Sequence, residues 1–163
     1  MSKTLLRAGF AVLVLAIAAP ASAQLLVRKD LSYAIAKTLA ETAIDACKTR
    51  GYAVSAVVVD RAGETLIAMR GDNASPHTME NARRKAYTAR SFRQPTSEYA
   101  KKYVEHNPVV MQQVTLPSVI AIPGGVPIKV GEDVIGGVGV SGSPGKDDDC
   151  VAVGMEKIAT QLK

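Results

Sequence analysis

The segment Tyr52 to Asp60, YAVSAVVVD, constrains the fold most. Val54, Ala56 and Val58 point one way and Val57 and Val59 the other, because side chains alternate along a strand. Both faces are apolar, so this strand lies in the middle of a sheet with cover on both sides. Asp60-Arg61-Ala62-Gly63 reads as a tight turn with glycine at a position of positive φ. Thr65 to Arg70 is the return strand, so the pair is an antiparallel hairpin rather than half of a βαβ unit.

The flanking segments have helical periodicity. Asp30 is placed to cap a helix running to about Arg50, with Gly51 as its stop. Leu31, Ile35, Leu39, Thr42 and Ala46 form its stripe, widened by Ala36, Ala40, Ala43 and Cys47. After the loop Gly71 to Pro76, Ser75 is expected to cap a second helix with Pro76 at its first position. Met79, Ala82, Ala86 and Ala89 form the buried stripe of that helix, and Gln94-Pro95 interrupts it. A third helix runs from about Thr96 to His106 and stops at Asn107-Pro108. Three strands follow: Pro117 to Ile122, Val126 to Val130, and Val134 to Ser141, the last two flanking the turn Gly131-Glu132-Asp133. Asp147 is expected to cap a final helix with Val151, Met155, Ile158 and Leu162 on one side. The expected fold is therefore α/β of the α+β type. It has a five-stranded, mostly antiparallel sheet flanked by helices, in the order α-β-β-α-α-β-β-β-α.

Residues 1–23 carry the pattern of a secretory signal peptide. Lys3 and Arg7 lead, Ala8 to Ala19 is apolar, Pro20 breaks the run, and Ala21-Ser22-Ala23 is the cleavage signal. The rival reading is an uncleaved anchor. Residues 24–163 then form one domain, periplasmic or secreted. Cleavage removes two basic residues and no acid, lowering the formal net charge from +5 to +3. With 4% aromatic residues and no Trp, the chain lacks the stacking platforms of a single-strand nucleic-acid binder. Export places the two cysteines, Cys47 and Cys150, in an oxidising compartment. Sequence leaves open whether they pair or each serves as a small buried hydrophobe.

Several motifs bear on function. Gly137-Val138-Gly139-Val140-Ser141-Gly142 matches G-x-G-x-x-G, but the glycines lie within a strand, and the next helix opens on Asp147-Asp148-Asp149, which repels a pyrophosphate. Two readings remain: a helix lying close over side-chain-free strand positions, or a flat ligand against bare backbone. Gly124-Gly125 precede a strand containing Pro127, which marks an edge or a bulge. That loop either connects strands or lines a pocket or an oligomer contact. The three aspartates read as helix capping against the macrodipole. No serine or carboxylate has the context of a hydrolytic site.

His77 and His106 are the candidate nitrogen ligands. His77 opens a helix bearing Arg83, Arg84 and Lys85, and a haem needs an axial ligand plus cations for its propionates. The simpler reading of those cations is a solvated helix face. On the helix, Arg84 is seven residues from His77, ~10 Å along the same side. That distance suits iron and propionate contacts on one porphyrin, with Arg83 and Lys85 pointing off to either side.

The segment His77 to Gln94, HTMENARRKAYTARSFRQ, with Pro95-Thr96, resembles the core of the GlcG-like haem-binding proteins. So do Pro123-Gly124-Gly125-Val126-Pro127-Ile128 and the run Gly131 to Gly142, GEDVIGGVGVSG. The likeness extends over about Leu26 to Leu162. It implies a profilin-like sheet and a tendency to dimers or larger homo-oligomers. It also implies haem binding in an exported carrier, buffer or sensor rather than an enzyme, with a membrane sensor or redox partner in one branch. The family's haem ligand is not uniform, so the resemblance carries that role to no one position. If haem binds, His77, inside the matching motif, is the expected iron ligand and His106 the alternative, with Arg83, Arg84, Lys85, Gly124 and Gly125 around the haem. Haem breakdown or chemistry on a small organic acid is a second possibility, and an oligomeric interaction module without haem a third. No nucleic-acid partner is expected. Self-association is expected also because an exposed edge strand invites pairing, and a small glycine-rich strand such as Val134 to Ser141 offers little side-chain protection.

Overall fold

The computed structural model describes residues 24–163. The expected leader lies outside the described residues. Among them, no helix is long and apolar enough to cross a membrane. The elements are α1 (Tyr33–Lys48), β1 (Ser55–Val59), β2 (Thr65–Arg70), α2 (His77–Phe92), α3 (Thr96–Val104), α4 (Pro108–Gln113), β3 (Gly125–Val130), β4 (Asp133–Ser141) and α5 (Asp147–Ile158), followed by a 3-10 turn at Ala159–Gln161. The sheet has four strands in the order β2-β1-β4-β3, every neighbouring pair antiparallel.

The central strand behaves as its alternation requires. Val54, Ala56 and Val58 pack with Leu39, Ala43, Val138 and Val151 in the core under α1 and α5. Val57 and Val59 pack with Ala82 and Ala86 of α2 on the other face. The sheet is thus the middle layer between α1/α5 and α2. β3 is an edge strand, as Pro127 demands, and its register with β4 shifts between Ile128 and Lys129.

The glycines of β4 explain how α2 lies so close. Val138 and Val140 enter the α1/α5 core, while Gly137 and Gly139 face α2. A Cβ on Gly139 would sit 2.1 Å from the Ala82 carbonyl oxygen, and one on Gly137 would sit 2.4 Å from that of Ala86. The G-x-G pattern is therefore a seat for helix backbone, and α2 occupies the place a flat ligand would need.

Four local expectations are corrected. Pro117 to Ile122 is not a strand, so the sheet has four strands rather than five. Its backbone is satisfied from α2: Arg84 Nη2 donates to the Val119 carbonyl at 2.5 Å, and Ile120 N–H donates to Thr88 Oγ1 at 2.9 Å. Asn107-Pro108 ends one helix but also starts α4, because the Asn107 side chain accepts from Val109 and Val110 N–H with Pro108 next in line. Ser32, not Asp30, caps α1, its hydroxyl accepting from Ile35 N–H. The Ser75 side chain makes no cap; the Thr78 N–H and hydroxyl both donate to the Ser75 carbonyl instead.

Cys47 and Cys150 form a disulfide with a Cα–Cα distance of 5.5 Å, joining the end of α1 to the first turn of α5. It closes a loop with a sequence separation of 103 residues. Cys47→Ala with Cys150→Ala should lower unfolding free energy by about 4–5 kcal/mol, the chain-entropy value for so long a loop, read from urea midpoints. Gly139→Ala should cost about 3 kcal/mol, at the upper end for overpacking, since helix backbone cannot yield as a side-chain tip can. A melting temperature unchanged from the parent would refute the close-approach account.

Candidate functional site

A cleft of about 360 Å³ opens where the start of α2 faces the Ser141 to Asp148 loop and the Ile122-Pro123 turn. Its volume falls within the range of small-molecule sites, ~300–1,000 Å³. His77 stands at the mouth, exposed, on the first residue of α2. Its neighbour Thr78 is buried and shares a 2.8 Å hydrogen bond with Ser55 of β1, which pins that end of the helix to the sheet. Ile122, Pro123 and Pro144 supply apolar wall, and Asn81 a polar group one turn along α2.

The floor is ionic. Lys85 is 1% exposed and its Nζ donates to Asp147 Oδ2 at 2.6 Å and to the Val140 carbonyl at 2.9 Å. Asp147 Oδ1 accepts from Ser143 N–H at 2.9 Å and its hydroxyl at 2.7 Å. The Ser143 hydroxyl lies 3.3 Å from Cys47 Sγ. A buried ion pair holds only when its remaining donors and acceptors are satisfied, and these bonds do that. Asp148 Oδ1 accepts the Gly124 N–H at 2.8 Å, and burial, the dominant influence, pushes its carboxyl above the usual range. Asp147 is thus not a helix cap. It is the counter-ion of Lys85, and the first helical turn carries it to the sheet.

The other expected site residues are distributed as follows. Arg83 pairs with Glu80 at 2.8 Å and leans on Ser118, and its guanidinium holds the Glu80 carboxyl below the ordinary range. Arg84 turns away from the cleft into a second depression of about 290 Å³, lined with Tyr103, Val114, Val119, Ile120, Ala121 and Ile122. His77 and Arg84 therefore do not share a cavity, although Ile122 borders both. Gly124 and Gly125 are buried beneath the site. A Cβ on Gly124 would lie 2.5 Å from that of Asp147, and one on Gly125 would lie 2.5 Å from the Lys85 carbonyl. Their N–H groups are taken by Asp148 and Thr96, so they shape the floor and offer no free donor. His106 ends the α3 turn, exposed and with φ 56°, and borders neither cavity.

For a haem, the cleft provides one exposed imidazole, His77, that would hold the iron, and an apolar wall of Ile122, Pro123 and Pro144. It provides no uncommitted cation, because Lys85 is spent on Asp147. Sequence reasoning missed the Ser143 to Asp148 side altogether. The aspartate run was visible, but three acids opening a helix have a sufficient local explanation in the macrodipole.

A four-stranded antiparallel sheet between helices, with a cleft at the start of the helix that crosses it, defines a small mixed α/β protein. Residues 31–156 match the family described as haem degrading protein HbpS-like, and the chain belongs to that family. Protein GlcG of Escherichia coli K12 is 32% identical over 111 residues, covering 68% of this chain and 81% of GlcG. The crystal structure of a double mutant of Streptomyces reticuli HbpS superposes with TM-score 0.77 at 34% identity, covering 86% of this chain and 97% of HbpS. A PduOC:heme complex shares the fold, with TM-score 0.70 at 23% identity, covering 78% of this chain and 94% of that one.

Asp147→Ala should destabilise the protein by about 3–5 kcal/mol by stranding a buried ammonium. Lys85→Met with Asp147→Leu should recover most of that loss, because the pair's desolvation cost disappears with it. Thermal or urea unfolding of the single and double variants checks both.

Proposed function

We propose that this chain is an exported haem-binding protein, a carrier, buffer or sensor component, that seats haem at the mouth of the α2 cleft with His77 as axial nitrogen donor. The observation that carries the reading is the exposed imidazole on a pinned helix start beside the apolar Ile122, Pro123 and Pro144. Membership of the HbpS-like family supports it. Bound haem would supply iron for ligand and redox chemistry. The protein's own contribution is to hold the imidazole, present an apolar face and keep the Lys85–Asp147 floor from shifting. Export is supported by the leader pattern of residues 1–23 and by the Cys47–Cys150 disulfide, which persists in oxidising compartments. The glycine-rich Val134 to Ser141 strand is not the expected edge, since it pairs with β1 on one side and β3 on the other. Homo-oligomer formation is supported instead by β2, a sheet edge whose outer side faces no further strand among the described residues.

Hemin titration tests the reading. The parent should bind at micromolar concentration with a Soret shift. His77→Ala should move the Soret maximum and weaken binding about tenfold or more, 1.4 kcal/mol, while His106→Ala leaves both unchanged. No Soret change in the parent sinks haem binding, and an unaltered spectrum in His77→Ala removes that residue from the iron. The family description favours a second reading, haem breakdown. It predicts loss of Soret absorbance with a reductant that persists when catalase removes free peroxide.

A further inference from the structure

Of the three consecutive cations Arg83, Arg84 and Lys85, Arg84 alone has no counter-charge among the described residues. Arg83 has Glu80 and Lys85 has Asp147, whereas Arg84 enters no ion pair among the described residues. Its Nη2 donates to the Val119 carbonyl, but its Nε is buried with no partner. Arg61 Nε shares that condition, yet the Arg61 guanidinium already grips both oxygens of Asp133. The enclosed Nε is out of a ligand's reach, so what the depression offers an anion is the outer part of a guanidinium whose charge has no counter-ion.

The surroundings of Arg84 supply the rest of a site. Its depression is walled by Val114, Val119, Ile120, Ala121 and Ile122, with the Tyr103 ring on one side. The wall is set in place, since Arg84 and Thr88, one turn apart on α2, clamp Val119 and Ile120 by hydrogen bonds to backbone. A guanidinium bordering an apolar hollow favours a carboxylate carried on an apolar body, because a hydrogen bond between two ionised groups is stronger than a neutral one.

We propose that this depression binds such a carboxylate, held by Arg84 with its apolar portion on Val114, Val119 and Ile120. The carboxylate has two possible sources. One is a free amphiphile of fatty-acid type. The other is a propionate of a porphyrin seated in the His77 cleft and reaching across Ile122, which borders both cavities. Only the second source rests on the haem reading.

Octanoate and octanol, which share a tail and differ in the carboxylate, are titrated into the full chain and followed by methyl and imidazole NMR. If the source is a free amphiphile, octanoate binds at least tenfold tighter than octanol. It then shifts the Val114 and Ile120 methyls and leaves the His77 imidazole unmoved. Arg84→Met abolishes the preference and Arg84→Lys keeps part of it. If the source is a propionate, octanoate shows no preference, but Arg84→Met weakens hemin at least fivefold without affecting hemin dimethyl ester, whose propionates carry no charge. Octanoate no tighter than octanol, together with hemin affinity indifferent to Arg84→Met, overturns the proposal. The comparison of octanoate with octanol uses the parent protein, so it is informative whether or not the variants fold. A parent that binds octanoate selectively but no hemin upholds the site and removes the haem reading.

Discussion

Everything on the α2 side of the molecule depends on helix backbone resting directly on strand backbone. Gly137 and Gly139 of β4 and Gly125 of β3 have no side chains to hold the helix off, and the carbonyls of Ala82, Lys85 and Ala86 occupy the space. Ala82 and Ala86 complete the fit from the helix side. At that separation the alkyl stem of Lys85 has no route to solvent, so its ammonium ends against β4 and needs an anion there. The close packing thus creates the need that Asp147 fills.

The ion pair in turn organises the cleft. Asp147 draws the first turn of α5 onto the sheet and holds Ser143 by two hydrogen bonds, while Asp148 secures Gly124. The Cys47–Cys150 disulfide ties the same turn to α1 from the opposite face. One wall of the cleft is therefore anchored through charge, hydrogen bond and covalent link, and the other by the Ser55–Thr78 contact. His77 stands at the mouth of this anchored frame.

The basic cluster shows why residue type alone is a weak guide to a site. Arg83, Arg84 and Lys85 are consecutive and identical in charge, yet they have three fates: a surface pair with Glu80, a hollow under Val119, and a buried pair with Asp147. Successive helical residues are about 100° apart, so three in a row face three different neighbours. The helical repeat also places Arg84 on the His77 side of α2, but Ile122 stands between the two cavities they border. The 117–122 segment that contributes Ile122 is irregular, held by α2 side chains rather than by a ladder. Its apolar Val119 and Ile120 looked like strand residues because burial under a helix and burial in a sheet leave the same composition.

What the amino-acid order determined by itself is everything set within a few residues. The alternation at Val54 to Val59, the Gly63 turn, the small-residue stripe of α2, the edge character marked by Pro127 and the placement of His77 at a helix start were all legible. Each rests on backbone geometry that neighbours in sequence impose. Only the tertiary structure decided what meets across long separations. The partner of Lys85 lies 62 residues away, that of Cys47 lies 103 away, and Val119 reaches Arg84 across 35. Periodicity tells which face a side chain takes, but the opposing chain path decides what stands there, and here the glycines of β4 set how near that path comes.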